Sequence, residues 1–132
     1  MEIDYRINEP LKTEDIIDVF ISSGLKRPTH DKERIEKMFA NSNLIISAWH
    51  NNILIGVARS LTDFSYSCYL ADLAVRKEFQ NKGVGKKLIE ITKNEAGNSS
   101  HLLLLSAPAA MEYYSKTGFD KVTNAFIIKR SN

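Results

Sequence analysis

At 132 residues, with 43% hydrophobic and 26% charged side chains, the chain has the size and composition of one globular unit. Lys and Arg number 18 against 16 Asp and Glu, a formal net charge of +2 that is too even for a nucleic-acid arm or a polybasic membrane anchor. The lone cysteine, Cys68, excludes an internal disulfide and a cysteine zinc cluster, and His30, His50 and His101 are scattered, so no metal site is expected. No apolar run reaches the ~20 residues of a membrane span, and Met1-Glu2-Ile3-Asp4 is no signal peptide. The expectation is a soluble, cytoplasmic single domain over residues 1–132.

Alternation from Ile3 through Tyr5 to Ile7 predicts a first strand, closed by Pro10. A helix starts at Thr13, with Glu14 and Asp15 in its first turn, Ile16, Ile17, Phe20 and Ile21 at helical spacing, and Gly24 at its end. A second helix begins at Thr29 or Asp31 and carries Ile35, Met38 and Phe39 on one face before Asn41-Ser42-Asn43 stops it. Leu44 to Trp49 and Ile53 to Leu61 read as a hairpin about Asn51-Asn52, with Gly56 as a candidate bulge. After the loop 63–67, Tyr69 to Val75 reads as a largely buried strand. Helical spacing resumes after Gly83 (Val84, Leu88, Ile91) and stops at Gly97. Leu102–Leu105 is a continuous apolar run, expected to form a strand covered on both faces. A short helix over Ala109–Thr117, a possible strand over Phe119–Val122 and a last strand over Phe126–Ile128 complete the order β-α-α-β-β-β-α-β-α-β. The fold class expected is α/β: a mixed, largely antiparallel sheet of six to seven strands with helices on both faces.

The chemistry-bearing stretch is Leu73-Ala74-Val75-Arg76-Lys77-Glu78-Phe79-Gln80-Asn81-Lys82-Gly83-Val84-Gly85-Lys86. A buried strand runs into a polar loop, and two glycines open an amphipathic helix. A helix start leaves about four backbone N–H groups unpartnered and carries partial positive charge. Gly83 and Gly85 let a large anion reach those amides, and Lys82, Lys86 and Lys87 add positive field, the ingredients of a pyrophosphate site. The alternative is a tight strand-to-helix turn with a solvated basic face. Neither G-x-x-x-x-G-K-[ST] nor G-x-G-x-x-G is present, and the loop does not follow the first strand, which excludes the usual nucleotide-hydrolysis and hydride-transfer loops.

Gln80-Asn81-Lys82-Gly83-Val84-Gly85 matches the Q/R-x-x-G-x-G/A pattern of the GNAT superfamily of N-acetyltransferases, which the chain resembles over nearly its whole length. Asp72-Leu73-Ala74-Val75 is similar to that family's fourth strand, and Ala110-Met111-Glu112-Tyr113-Tyr114-Ser115-Lys116-Thr117-Gly118-Phe119 to its A-x-x-F-Y-x-x-x-G-F segment. The resemblance implies that acetyl-coenzyme A is the cosubstrate, with its pyrophosphate on the amides of Gln80, Asn81, Lys82, Gly83, Val84, Gly85 and Lys86. Its pantetheine arm would pair with the backbone at Leu73, Ala74 and Val75, where two parallel strands splay. A primary amine, preferentially of a small molecule, would attack the thioester directly, and Tyr114 aligns with the tyrosine that protonates the departing thiolate. The alternative for both tyrosines is helix packing, preferred for Tyr113. Asp72 is the candidate base, set against a structural carboxylate holding backbone or Arg59, because a carboxylate inside a strand must be paired. Many members of the family it resembles carry Asn at the end of the fifth strand; with Ala107-Pro108 here, the amide contact to the pantetheine is expected to be missing or supplied by backbone.

Other candidates are minor: Ser106 toward substrate, His30 in the acceptor pocket, Phe64 and Tyr66 in the loop before the fourth strand. His50 and His101 read as solvated, Trp49 and Cys68 as core. Two other functions fit the same residues: a coenzyme-A-binding sensor or interaction module without turnover, and a protein lysine or N-terminal acetyltransferase. The aliphatic sheet edge also admits a homodimer.

Overall fold

Apolar residues at helical spacing bury Ile16, Val19 and Phe20 of the first helix, α1 (Thr13–Ser23), which stops where Gly24 turns left-handed at φ 83°. The Asp31 carboxylate caps α2 (Lys32–Ala40) by accepting from the Arg34 amide at 3.1 Å. Asn51 and Asn52 take φ values of 50° and 62°, the left-handed pair that a tight hairpin demands, between β2 (Leu44–His50) and β3 (Ile53–Thr62). With β1 (Asp4–Ile7), β4 (Ser67–Val75) and β5 (His101–Leu103) these strands make one sheet in the order β1-β2-β3-β4-β5. The first four run antiparallel, and β5 lies parallel to β4. The computed structural model describes residues 1–132.

Helices cover both faces. α1 and α2 pack Ile16, Phe20 and Ile35 against Leu54, Val57 and Ala74. On the other face α3 (Val84–Ala96) packs Val84, Leu88 and Ile89 against Leu44, Ile46, Ile55 and Leu70. Two register slips interrupt the sheet: Ala48 faces Gly56 but Trp49 faces Leu54, leaving Ile55 unopposed, and Arg59 faces Asp72 but Ser60 faces Leu70, leaving Ala71 unopposed. The expected bulge at Gly56 thus lies at its neighbour. Gly56 itself is a close-approach site, where a Cβ would come within 3.3 Å of Leu88 and 3.4 Å of the Ala74 carbonyl.

The α/β class with helices on both faces is as expected, but the sheet has five strands instead of six to seven. Phe119–Val122 and Phe126–Ile128 form no strand; Phe126 and Ile128 are 98% and 100% exposed. Strand-forming side chains need a hydrogen-bonding neighbour, and here these segments find none. The apolar run at Leu102–Leu105 yields only the three-residue β5, with Leu103 and Leu105 37% and 58% exposed, because nothing pairs with its outer side. The short helix divides into a 3₁₀ turn (Pro108–Ala110) and α4 (Met111–Lys116), followed by Gly118 at φ 94°. No helix is long and apolar enough to cross a membrane.

Candidate active site

β4 and β5 pair only from Ser67 to Tyr69 against His101 to Leu103. Beyond Tyr69 the two strands part, and the β5-side edge of β4 is left without a strand partner as far as Val75. That free edge leads into the Arg76–Gly83 loop, which is fastened from behind. Arg76 donates from its amide to Ile55 O at 2.8 Å and from Nε to Leu54 O at 2.7 Å. The Gln80 side-chain amide donates to Val75 O at 2.9 Å, and the Lys77 amide donates to Ser22 Oγ at 3.0 Å.

Asn81 and Gly83 both take left-handed backbone, φ 62° and 84°, so the chain turns twice before α3 begins. No side chain caps α3, and its first turn contains no acidic residue. The first intrahelical bond runs from the Lys87 amide to Gly83 O at 3.0 Å, so the N–H groups of Val84, Gly85 and Lys86 have no helical partner. Lys82, Lys86 and Lys87 are exposed around them. An open strand edge that runs into bare amides and a positive dipole end suits an extended ligand with a polar arm and an anionic head. Loop and strand residues singled out from sequence, Leu73–Val75 and Gln80–Lys86, therefore follow one path of the chain from the free strand edge to the helix start.

α4 closes this region. Tyr113 brings its hydroxyl to 2.7 Å from where a Cβ on Gly85 would stand. Tyr114 packs edge-on against Tyr113 and Phe119, at centroid distances of 5.2 and 5.6 Å. Burial pushes the Tyr114 phenol above its ordinary value and the neighbouring Tyr113 adds to this, while the Arg27 guanidinium pulls the other way. Tyr114 is therefore a protonated donor at neutral pH, lying in the field of Arg27.

Asp72 is fully buried, and both of its oxygens are taken. Arg27 Nε donates to Oδ1 and Arg59 Nε to Oδ2, each at 2.5 Å. Arg27 also donates to the carbonyls of Ala71 at 3.0 Å and Lys26 at 2.6 Å, which staples the α1–α2 loop to the bulged residue of β4. Arg59 donates to Ser42 Oγ at 3.0 Å and lies over the Phe39 ring. The carboxylate has no solvent-accessible surface and each oxygen already holds a guanidinium, so the geometry weighs toward the structural alternative for Asp72.

The minor candidates stay apart. Ser106 spends its hydroxyl on the neighbouring Ala107 carbonyl at 2.8 Å. Phe64 and Tyr66 are exposed in a loop at the N-terminal end of β4, the length of that nine-residue strand away from the Gln80 loop. His101 faces Tyr66 there, and His50 packs against Phe79. His30 is exposed, Cys68 is buried, and Trp49 Nε1 donates to Ser47 Oγ at 2.8 Å. No group of three His, Cys, Asp or Glu side chains is placed to hold a metal ion. Two contributors escape sequence reasoning. Arg27 reaches Asp72 from 45 residues away, with no local pattern to announce it, and the hydroxyl at Tyr113, where the family pattern has Phe, was the only visible signal of its contact with Gly85.

The protein is thus an α/β protein whose five-stranded mixed sheet opens between two parallel strands beside an uncapped, glycine-lined helix start. The family model for the acetyltransferase (GNAT) domain matches residues 12–129, and the chain belongs to that family. The uncharacterized N-acetyltransferase ycf52 of Pyropia yezoensis is 29% identical over 103 residues, which cover 74% of this chain and 58% of that protein. The GCN5-related N-acetyltransferase 2, chloroplastic, of Arabidopsis thaliana is 31% identical over 72 residues, 51% of this chain and 27% of its own length. The chain thus spans little more than half the length of the first of these curated relatives. Among solved structures, the GNAT-family acetyltransferase SP0256 of Streptococcus pneumoniae superposes with a TM-score of 0.78 at 21% identity, covering 98% of this chain and 100% of that one. The aminoglycoside N-acetyltransferase AAC(6')-Iy, in complex with CoA, superposes with a TM-score of 0.74 at 16% identity, covering 99% and 96%. At these identities the likeness is one of fold.

Proposed function

We propose that the protein transfers an acetyl group from acetyl-coenzyme A to the primary amine of a small molecule. The observation that carries this reading is the free β4 edge, from which the chain runs through the Gln80 loop to the bare amides of Val84, Gly85 and Lys86. Backbone at Leu73–Val75 suits the amide-bearing pantetheine arm, and the glycine-lined helix start with Lys82, Lys86 and Lys87 suits the pyrophosphate. These residues fit the cosubstrate. In the reaction, the amine nitrogen forms a bond to the thioester carbonyl carbon, the C–S bond breaks, and the sulfur leaves with its electron pair. Tyr114, kept protonated by burial, donates its proton to that sulfur. The amine's proton passes to water, because Asp72 is fully buried as the anchor of Arg27 and Arg59. A reducing cytoplasmic setting suits the single buried thiol of Cys68.

Isothermal titration with acetyl-coenzyme A, coenzyme A and ATP tests the reading. Micromolar affinity for the first two and none for ATP is expected, followed by thiol release when an amine is added. Absence of binding by all three would reduce the Gln80–Gly85 loop to a turn and end the proposal.

A further inference from the structure

The hub at Asp72 is not electrically balanced. Two guanidinium groups, Arg27 and Arg59, share one buried carboxylate, and no other carboxylate pairs with either of them. The nearest acidic residue to Arg27 in sequence, Asp31, holds the Arg34 amide at the start of α2 with Oδ1 and forms no ion pair with Arg27. Lys26 adds a further positive charge beside Arg27. One unit of positive charge is therefore left over at a partly buried position, where solvent screens it less than at an open surface.

Its location matters. The Arg27 side chain is 27% exposed while that of Arg59 is 11% exposed, so the excess charge presents itself through Arg27. Arg27 is anchored on the Ala71 carbonyl at the β4 bulge, and its field is felt at Tyr114. Three of its five N–H groups are engaged, by Asp72, Lys26 and Ala71; two remain. Anchored at Ala71 and Asp72, Arg27 lies against the stretch of β4 that has no strand partner on its β5 side, the stretch the coenzyme arm is proposed to follow.

We propose that the acceptor is an amine that also carries a negatively charged group, such as a carboxylate, which pairs with the excess positive charge presented by Arg27. Arg27 is then a specificity residue, and polycationic amines are disfavoured acceptors. This inference rests on the acetyl-transfer reading and deepens it.

The test uses three amines of closely similar basicity and length: 6-aminohexanoate, hexylamine and 1,6-diaminohexane. Their net charges at neutral pH are 0, +1 and +2, so the carbon chain and the reacting group are held constant while charge changes. Expected is kcat/KM falling in that order by roughly five- to tenfold per step, the size of one partly screened charge interaction. Raising the salt concentration should compress the steps. In Arg27→Gln, which leaves Asp72 and Arg59 as a balanced pair, the preference should shrink toward unity. A readout independent of turnover is the Nε–H nuclear magnetic resonance of Arg27, which should shift on adding 6-aminohexanoate in the presence of coenzyme A and not on adding the diamine. Equal rates, a preference for the diamine, or turnover of none of the three by protein that still binds acetyl-coenzyme A would each overturn the inference. Failure to bind acetyl-coenzyme A at all would instead strike the acetyl-transfer reading, so the two failures are distinguishable.

Discussion

Asp72→Asn separates the two roles open to that carboxylate. The side chain is fully buried, and its oxygens hold Arg27 and Arg59, whose side chains are 27% and 11% exposed. Asn preserves the shape but removes the charge, and its amide N–H groups must face a guanidinium that can only donate. Arg59 has little water to fall back on, so breaking this pair belongs with buried ion pairs that lose one partner, about 3–5 kcal/mol. Arg27 can recover some hydration, so the lower half of that range is the better expectation. For a chain of this length ~3 kcal/mol corresponds to a fall in Tm of roughly 10 °C. Thermal and urea unfolding followed by circular dichroism would measure it. Turnover should then be compared well below the variant's Tm, where kcat is expected to stay within about tenfold of the native protein. A variant that melts within two or three degrees of the native protein while losing kcat by 10²-fold or more would refute the anchor and restore Asp72 as the base.

Tyr114→Phe keeps the ring packed against Tyr113 and Phe119 and removes only the acid, so kcat should fall by roughly 10²-fold or more with coenzyme affinity unchanged, read by thiol release and calorimetry. Gly85→Ala places a methyl group 2.7 Å from the Tyr113 hydroxyl and should lower Tm, whereas the same change in a Tyr113→Phe background meets the ring carbon at 3.7 Å and Val75 Cγ2 at 3.9 Å, both ordinary contacts, and should be nearly neutral; equal effects in both backgrounds would show that the two residues do not touch. The Asp63 carboxylate accepts the amides of Ser65, Tyr66 and Ser67, which depress its pKa from 3.8 to about 2. Because the folded value is the lower one, its contribution is present above pH 4 and lost as pH falls toward 2, so the Tm gap between the native protein and Asp63→Ala should close over that interval. A gap that stays constant from pH 5 to pH 2 would count against these bonds.

The helices and the hairpin were legible because each is specified locally. Gly24 and Gly97 stop helices, Asp31 caps one, and Asn51-Asn52 supplies the two left-handed residues of the turn. The loop from Gln80 to Gly85 was legible for the same reason, since its glycines and lysines lie within a few residues of one another. What depends on distant partners was not. Phe126-Ile127-Ile128 has the composition of a strand, yet a strand exists only where another backbone meets it, and composition is silent on that. The Arg27–Asp72 contact spans 45 residues, and a loop arginine gives no local sign of the strand it will reach.

The two unopposed residues, Ile55 and Ala71, explain why strand alternation could not be carried through the centre of the sheet. In β4, Cys68 and Leu70 face the α3 side, yet beyond Ala71 it is Leu73 and Val75 that do so, while Ala74 joins the α1 side. In β3, Leu54 lies on the α1 side and Ile55 on the α3 side, and past the slip Val57 and Ala58 take those places in the reverse phase. An extra residue in a strand exchanges the faces of everything beyond it. Without the slip at Ala71, the Asp72 side chain would point with Leu70 into the apolar α3 core, where a carboxylate has no partner. With it, Asp72 emerges on the face where Arg59, similarly rephased, and Arg27 meet it. The bulge thus does two jobs at one place. It turns a buried acid toward its cations, and it puts the Ala71 carbonyl out of register so that Arg27 can hold the α1–α2 loop against the strand that the coenzyme arm is proposed to follow.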